Sequence, residues 1–210
     1  MRTPSTERSP ATRETPLSAM RVVFGFVALL WAIEGIDTLL GHRLDAGGVR
    51  PREVDGLDGI LFAPLLHGGW GHLAGNTLPL LVLGSLIALS GLARWLLVTS
   101  IVWVVGGAGT WLTGQPGSVH LGASVLAFGW LTYLLLRGVF SKRPGQILLG
   151  LVLLVLYGGL LWGVLPGQPG ISWQGHLFGA AGGALAAMWL GERDRPPRRH
   201  GRSSTTPGGM

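Results

Sequence analysis

The stretch HLGASVLAFGWLTYLLLRG, residues 120–138, is one of six apolar segments that together decide the fold. The six run roughly over residues 22–40, 72–91, 93–112, 120–138, 146–165 and 174–190. Each is close to the ~20 residues that an α-helix needs to cross the hydrocarbon core of a bilayer. The sequence therefore predicts an all-α membrane protein with six transmembrane helices.

Charged residues are scarce and unevenly distributed along the chain. They make up 12% of the 210 residues, about half of the ~25% usual in soluble domains. No Asp or Glu occurs between Asp58 and Glu192, which excludes chemistry based on paired carboxylates from that stretch. The absence of Cys excludes disulfides and Cys zinc sites. No basic face on a soluble fold supports nucleic-acid binding.

Polar stretches flank the apolar part of the sequence. Residues 1–20 and 192–210 are rich in Pro, Arg, Ser and Thr, a composition typical of disordered segments. We therefore expect a disordered arm over 1–20, a membrane domain over 21–191 and a disordered basic tail over 192–210. The first apolar segment resembles a signal peptide in length, but no A-x-A cleavage site follows it, which favours an uncleaved helix.

The positions of Lys and Arg predict the orientation in the membrane. With both termini in the cytoplasm, 13 of the 16 Lys and Arg residues fall on the inside and three on the outside, as the positive-inside rule requires. We expect a multi-pass protein of the plasma membrane. The long loop of residues 41–71 then lies outside, and its apolar run over 60–66 is expected in the outer interface.

Polar residues inside a bilayer are costly, so each is a candidate functional residue. Ser124 lies four residues after His120 near the start of the fourth segment, and His176 lies near the start of the sixth. Taken singly, a membrane Ser is usually a packing residue bonded to its own helix, and a membrane His is usually a structural hydrogen-bonding residue. Small residues at 175, 179 and 183 would let the sixth helix approach the fourth closely, which would bring Ser124 and His176 together.

His72 and Asn76 are one helical turn apart at the start of the second segment. Both can donate hydrogen bonds, as an oxyanion site requires, and anchoring of the preceding loop is the simpler alternative. Segments two, four and six all begin at the outer side, so these residues share one depth with Ser124 and His176. A Ser activated by a His can carry out acyl transfer without a carboxylate.

This ordered set resembles the rhomboid intramembrane serine proteases of the bacterial six-helix type. The resemblance covers roughly residues 20–190 and rests on HxxxN in the second segment, GxS in the fourth and GH with small residues in the sixth. It implies a rhomboid-like bundle whose loop over 41–71 is partly embedded in the membrane. It also implies cleavage of transmembrane protein substrates near the outer boundary of the lipid bilayer, at helix-destabilised sites with small residues, without a cofactor or metal.

The resemblance also implies roles for individual residues. Ser124 would be the nucleophile and His176 the general base. The oxyanion hole would comprise His72, Asn76 and the backbone N–H of Ser124. The implied supporting residues are Gly122, Phe128, which would pack near the His176 ring, and Gly179.

Val125 departs from the family pattern, in which Gly follows the nucleophile. A branched side chain there could narrow the site. It could also mark a catalytically inactive relative that binds transmembrane helices, although such a relative would have no chemical reason to keep both Ser124 and His176.

Two alternative functions would depend on other residues. Glu34 and Asp37, in the outer half of the first segment, would suit a small transporter, although pairing with a loop Arg such as Arg50 or Arg52 would account for them. A zinc site of the histidines at 67, 72 and 176 would lack supporting carboxylates.

Overall fold

The fold is entirely helical in the computed structural model, which describes residues 16–195. The long helices are α1 (Pro16–Leu39), α3 (Trp70–Ala88), α4 (Leu92–Thr113), α5 (Ser124–Ser141), α6 (Pro144–Tyr157) and α7 (Trp173–Arg193), and a short helix α2 (Gly59–Phe62) precedes α3. Over residues 16–195 no strand forms, and one isolated bridge pairs Val49 with His120. The predicted all-α bundle of six long helices is confirmed.

The ends of the bundle differ from the expected boundaries by a few residues. Helix α1 begins at Pro16, inside the stretch expected to be a disordered arm, and α7 continues to Arg193. The remainder of the two expected disordered segments, residues 1–15 and 196–210, lies outside the described residues.

Helix α7 is less apolar than the other long helices, and its position explains why. Five helical stretches are long and apolar enough to cross a membrane by length and composition: Leu17–Leu39, Trp70–Ala88, Leu92–Thr113, Ser124–Ser141 and Pro144–Val164. Helix α7 has 21 residues but contains Gln174 and His176 among many Gly and Ala residues. It packs mainly against α5 and α4. The face of α7 that packs against α5 and α4 needs small residues for close approach, while Leu177, Leu185, Met188 and Trp189 remain exposed on the rest of the helix.

Two of the predicted helices have different bounds in the structure. The fourth was expected to begin at residue 120, but α5 begins at Ser124 because the backbone of His120 pairs with Val49 and Gly122 has a φ of 121°. That φ value lies outside the helical region and is open to Gly alone at low cost. The fifth ends as an α-helix at Tyr157 and continues as a 3₁₀ helix over Gly158–Val164.

Glycines allow α5 and α7 to cross in close contact. A Cβ atom on Gly183 would collide with the backbone carbonyl of Gly129, and one on Gly179 would collide with the carbonyl of Val125. The predicted role of Gly179 in close helix packing has this physical basis. The crossing brings the first turns of both helices together.

The opposite end of the bundle is held by an ion-pair cluster around Asp194. Arg94 of α4 donates two hydrogen bonds to the Asp194 carboxylate, at 2.6 and 2.8 Å, and Arg137 of α5 lies 3.5 Å from it. Hydrogen bonding to Arg94 lowers the pKa of Asp194. The cluster joins α4 and α5 to the end of α7, the helix that carries His176.

The loop between α1 and α3 is folded against α4. It contains three 3₁₀ helices, Leu44–Gly47, Val54–Gly56 and Ala63–Leu65, in addition to α2. Trp103 of α4 donates to the backbone carbonyl of Ile60 at 2.9 Å, and Arg52 donates to the carbonyl of Gly114, also at 2.9 Å. Leu61 and Phe62 remain exposed, so the apolar run retains a surface suited to the interface, and the embedding of this loop stays a prediction.

Candidate active site

Ser124 and His176 meet at the crossing of α5 and α7. Nε2 of His176 lies 2.9 Å from Oγ of Ser124. Ser124 is the first residue of α5, and the first N–H groups of a helix have no acceptor within the helix. The structure thus brings together the two residues that the sequence analysis paired, at a helix end that attracts negative charge.

The second nitrogen of His176 determines what the first can do. Nδ1 lies 2.9 Å from the backbone carbonyl of Gly163. A carbonyl only accepts, so Nδ1 must carry the proton in this contact, which leaves Nε2 of the neutral ring as an acceptor for the Ser124 hydroxyl. A carbonyl here orients the ring in the way that a carboxylate does in a three-residue catalytic set.

Phe128 and Gly163 both contact the His176 ring. The rings of Phe128 and His176 are stacked, with centroids 3.9 Å apart and planes at 10°. A Cβ atom on Gly163 would lie 2.8 Å from Phe128 and 2.9 Å from Nδ1 of His176. The expected contact between Phe128 and His176 is present. The role of Gly163 had no signal in the sequence, because Gly is abundant throughout this chain.

His72 lies across Gly122 from the Ser124 hydroxyl. A Cβ atom built on Gly122 would be 2.7 Å from Nε2 of His72 and 3.7 Å from Oγ of Ser124. Any side chain at residue 122 would therefore displace the imidazole. The absence of a side chain at Gly122 therefore leaves room for the His72 imidazole near the Ser124 hydroxyl.

Asn76 presents a hydrogen-bond donor that no other residue of the described range 16–195 uses. It is one turn after His72 on α3, it is 7% exposed, and its Nδ2 has no hydrogen-bond partner within that range. An unpaired buried donor costs about 1–3 kcal/mol. Asn76 lines the same cleft as Ser124 and His176, so a carbonyl oxygen entering the cleft could accept its hydrogen bond.

His67 is a site residue that the sequence analysis considered only as a zinc ligand. It is buried, and its ring packs edge-on against His72 with centroids 5.2 Å apart. Its Nε2 accepts a hydrogen bond from the Ala123 N–H at 3.3 Å. His67 thereby holds the backbone between Gly122 and Ser124. The one feature of the sequence that could have indicated this role is the position of His67 five residues before His72.

We expect the stability of the protein to fall between pH 7 and 5, in part because of His67. Burial, and then the nearby His72, lower the pKa of His67 from 6.5 to about 4. Its contribution is complete above pH 6.5 and is lost as the pH falls toward 4, because only the unfolded chain binds the proton over that range. The loss amounts to up to about 2 kcal/mol at pH 5. Thermal unfolding in detergent at both pH values, compared with His67→Gln, measures it, and an equal pH dependence in the variant would contradict the assignment.

Val125 fills space that glycines leave between α4 and α7. It is buried, and its Cγ2 occupies the position that a side chain on Gly106 would need, next to Gly179. It also lines a cavity of about 30 Å³ beside Ser124 and His176. The branched side chain therefore narrows the space beside the nucleophile and is matched by Gly106.

Val125→Gly is expected to lower the free energy of unfolding by about 2–4 kcal/mol, because buried methyl groups are lost and Gly disfavours a helix. Gly106→Ala is also expected to destabilise the protein, since its methyl meets Val125. The double variant should be more stable than the sum of the two effects implies, because each change makes room for the other. Denaturant unfolding of all four proteins measures this coupling, and additive effects would contradict it.

Two cavities meet at the paired side chains. The smaller, of about 30 Å³, is lined by loop residues, α4 and the beginnings of α5 and α7, and could hold about two water molecules. The larger is a cleft of about 960 Å³ lined by His72, Asn76, Ser124 and His176, among other residues. A peptide could reach Ser124 from the cleft while water remains beside it.

Glu34 and Asp37 lie apart from this cleft, where α1 meets the loop. The expected pairing with Arg50 or Arg52 is wrong. Arg50 donates to Glu53 at 3.1 Å, and Arg52 donates to the carbonyl of Gly114. Asp37 instead accepts from the backbone N–H of Leu44 at 2.7 Å.

Comparison with known proteins identifies the family. Residues 56–193 match the model of the Rhomboid domain. "Uncharacterized protein Rv1337" of Mycobacterium tuberculosis is 49% identical over 203 residues, 91% of this chain and 85% of the relative. "Uncharacterized protein ML1171" of Mycobacterium leprae is 50% identical over 184 residues, 84% of this chain and 73% of the relative. "Putative rhomboid protease YdcA" of Bacillus subtilis is 32% identical over 126 residues, 59% of this chain and 62% of the relative. With its helical bundle and several apolar helices, the chain is a multi-pass integral membrane protein that belongs to the rhomboid family.

Proposed function

We propose that this protein is a serine endopeptidase that hydrolyses peptide bonds of transmembrane proteins through Ser124 and His176. The observation that carries the proposal is the 2.9 Å contact between Nε2 of His176 and Oγ of Ser124, with Nδ1 of the same ring held by the carbonyl of Gly163. Membership of the rhomboid family supports the same reaction class.

The first half of the reaction forms an acyl-enzyme. Nε2 of His176 takes the hydroxyl proton as Oγ of Ser124 attacks the carbonyl carbon of the scissile bond. The resulting oxyanion accepts hydrogen bonds from Asn76 Nδ2, His72 and the N–H of Ser124. His176 then returns its proton to the departing amine, the C–N bond breaks, and the substrate carbonyl stays esterified to Ser124.

The second half needs water at a site that borders lipid. Water held in the cavity beside Ser124 is deprotonated by Nε2 of His176 and attacks the ester. The ester bond breaks, the proton returns to Oγ, and the new carboxylic acid leaves. The backbone next to the site is irregular and polar, which a membrane protein tolerates where the chain lines a water-filled space.

The shape of the site favours small side chains in the substrate. The cavity that adjoins Ser124 measures about 30 Å³ and is narrowed by Val125. We propose that Gly, Ala or Ser precedes the bond that is cleaved. Helix-destabilised segments are the expected targets, because a helical peptide bond is already hydrogen-bonded and cannot lie extended in the cleft.

The distribution of Lys and Arg supports a plasma-membrane orientation with both termini in the cytoplasm. In this orientation the beginnings of α3, α5 and α7 lie toward the outer surface. Cleavage would then release the outer part of a membrane-anchored substrate. Of the tail arginines that contribute to this argument, Arg198, Arg199 and Arg202 lie outside the described residues.

Labelling with a fluorescent fluorophosphonate tests the proposal without knowledge of the substrate. We expect the purified wild-type protein to be labelled, because the activated Oγ of Ser124 displaces fluoride from phosphorus. Ser124→Ala and His176→Ala should abolish labelling, while Ser100→Ala, a change on the exposed side of α4, should leave it intact. A folded wild-type protein that resists the label and cleaves no transmembrane peptide would instead favour an inactive relative that binds helices. Label that persists in Ser124→Ala would assign the reactive group elsewhere.

A further inference from the structure

A cluster of titratable side chains lies where α1 passes into the loop, away from Ser124. Asp37, His42 and Asp45 each offer a ligand atom, and these atoms lie within 4.8 Å of one another. Nδ1 of His42 is 3.4 Å from one oxygen of Asp37 and 4.0 Å from one oxygen of Asp45. Ligands ~2.1 Å from a tetrahedral metal ion are separated by about 3.4 Å, so small side-chain movements would suffice for joint coordination.

Glu34 adds an independent observation that points to a missing cation. It lies one turn before Asp37 on α1 and therefore on the same face of that helix. Glu34 is 1% exposed, and its Oε1 has no hydrogen-bond partner among residues 16–195. One oxygen of Asp45 is also buried without a hydrogen-bond partner. A buried carboxylate oxygen without a donor is expensive, and a metal ion would satisfy it.

The charge balance of the cluster supports the same conclusion. Among residues 16–195, no Lys or Arg forms an ion pair with Glu34, Asp37 or Asp45, and His42 is the only basic side chain within 4.0 Å of a carboxylate oxygen of this cluster. Three carboxylates brought together without a strong cation repel one another, whereas a divalent ion would reverse that repulsion.

We propose that Glu34, Asp37, His42 and Asp45 bind one divalent transition-metal ion, for which Zn²⁺ is the test probe. Carboxylates with one imidazole suit such an ion better than the all-oxygen shell that Ca²⁺ prefers. The ion would join the last turns of α1 to the start of the loop. The chain turns back there through His42, which has a φ of 60°, and the N–H of His42 bonds to the Asp37 carbonyl at 2.9 Å.

Zinc binding by chelator-treated protein tests the proposal. The protein is purified in detergent with a tag that contains no histidine, dialysed against limiting Zn²⁺ and analysed for bound metal. We expect His42→Gln and Asp45→Asn each to bind one zinc fewer per chain than wild type, or to bind it at least about tenfold more weakly. The His42 side chain is 48% exposed, so we expect the His42→Gln variant to fold as the wild-type protein does. Equal zinc content and affinity in wild type and both variants would overturn the proposal.

Control variants separate this site from the other histidines. Asp58→Asn changes an exposed loop carboxylate and should bind zinc as wild type does. His176→Ala removes the proposed general base and should also keep this zinc. Zinc should raise the midpoint of thermal unfolding of wild type and not that of His42→Gln, because only a folded site contributes binding free energy to stability. Loss of zinc in His176→Ala but not in His42→Gln would assign the metal to the cleft and overturn the inference.

Discussion

Replacing His176 by alanine is expected to slow hydrolysis of a transmembrane substrate by at least about 10³-fold. In the proposed mechanism the imidazole takes the proton from Ser124 in the attack and returns it to the departing amine, so both chemical steps would lose their acid–base group. Ser124→Ala should reduce the rate to the same floor. Cleavage of a labelled transmembrane peptide in detergent or in liposomes measures each rate.

The combined variant makes this prediction specific to a cooperating pair. Ser124→Ala/His176→Ala should be no slower than either single variant, because a nucleophile and its base act as one unit. Ser100→Ala, the matched control on α4, should keep the wild-type rate. Rates that multiply in the double variant would mean that the two residues act independently, contrary to the hydrogen bond between them.

Replacing Gly183 by valine is expected to destabilise the protein strongly. A side chain there meets the backbone carbonyl of Gly129 on α5, and backbone cannot move aside as the end of a long side chain can. Overpacking in a core commonly costs about 1–3 kcal/mol, and we expect at least that loss, since two whole helices must separate. Thermal or denaturant unfolding in detergent measures the change.

Gly25→Ala is the matched control, and it is expected to raise rather than lower the stability in the same unfolding experiment. Gly25 lies in α1, and a Cβ atom there would have no neighbour within 4 Å. Alanine favours a helix over glycine by about 1 kcal/mol, so this variant should be slightly more stable than wild type. The fluorophosphonate label should fall with Gly183→Val, because separation of α5 and α7 also moves His176 away from Ser124. A stable, fully labelled Gly183→Val would contradict the close crossing.

The long helices could be predicted because lipid and length set strong limits on an apolar segment. Helix α7 could be predicted despite its low hydropathy, because its segment is about as long as the other apolar segments and its glycines recur every four residues. The start of α5 was misplaced by four residues, because a single bridge between Val49 and His120 competes with helix formation. Long-range backbone pairing of that kind leaves no local signal.

Part of the candidate site could be predicted from the sequence for a similar reason. Ser124, His176 and Asn76 are polar groups where polarity is costly, so their chemistry stands out in the sequence. Gly163 does not stand out, because its contribution is a carbonyl and an absence of side chain. The pairing of Asp37 with Arg50 or Arg52 failed because opposite charges in one loop suggest a partner without fixing where either side chain lies.

The Asn76 amide connects the proposed catalysis with the stability of the protein. Among residues 16–195 that donor has no acceptor, and Asn76 lines the cleft that also contains Ser124 and His176. A substrate oxyanion would supply the acceptor, so the protein gains internal hydrogen bonding at the moment when it is most active. An apolar residue of similar shape at 76 would remove this hydrogen-bond donor and make the protein without substrate more stable. In the proposed mechanism, the Asn76 amide thus makes its hydrogen bond with the transition state rather than with another part of the protein.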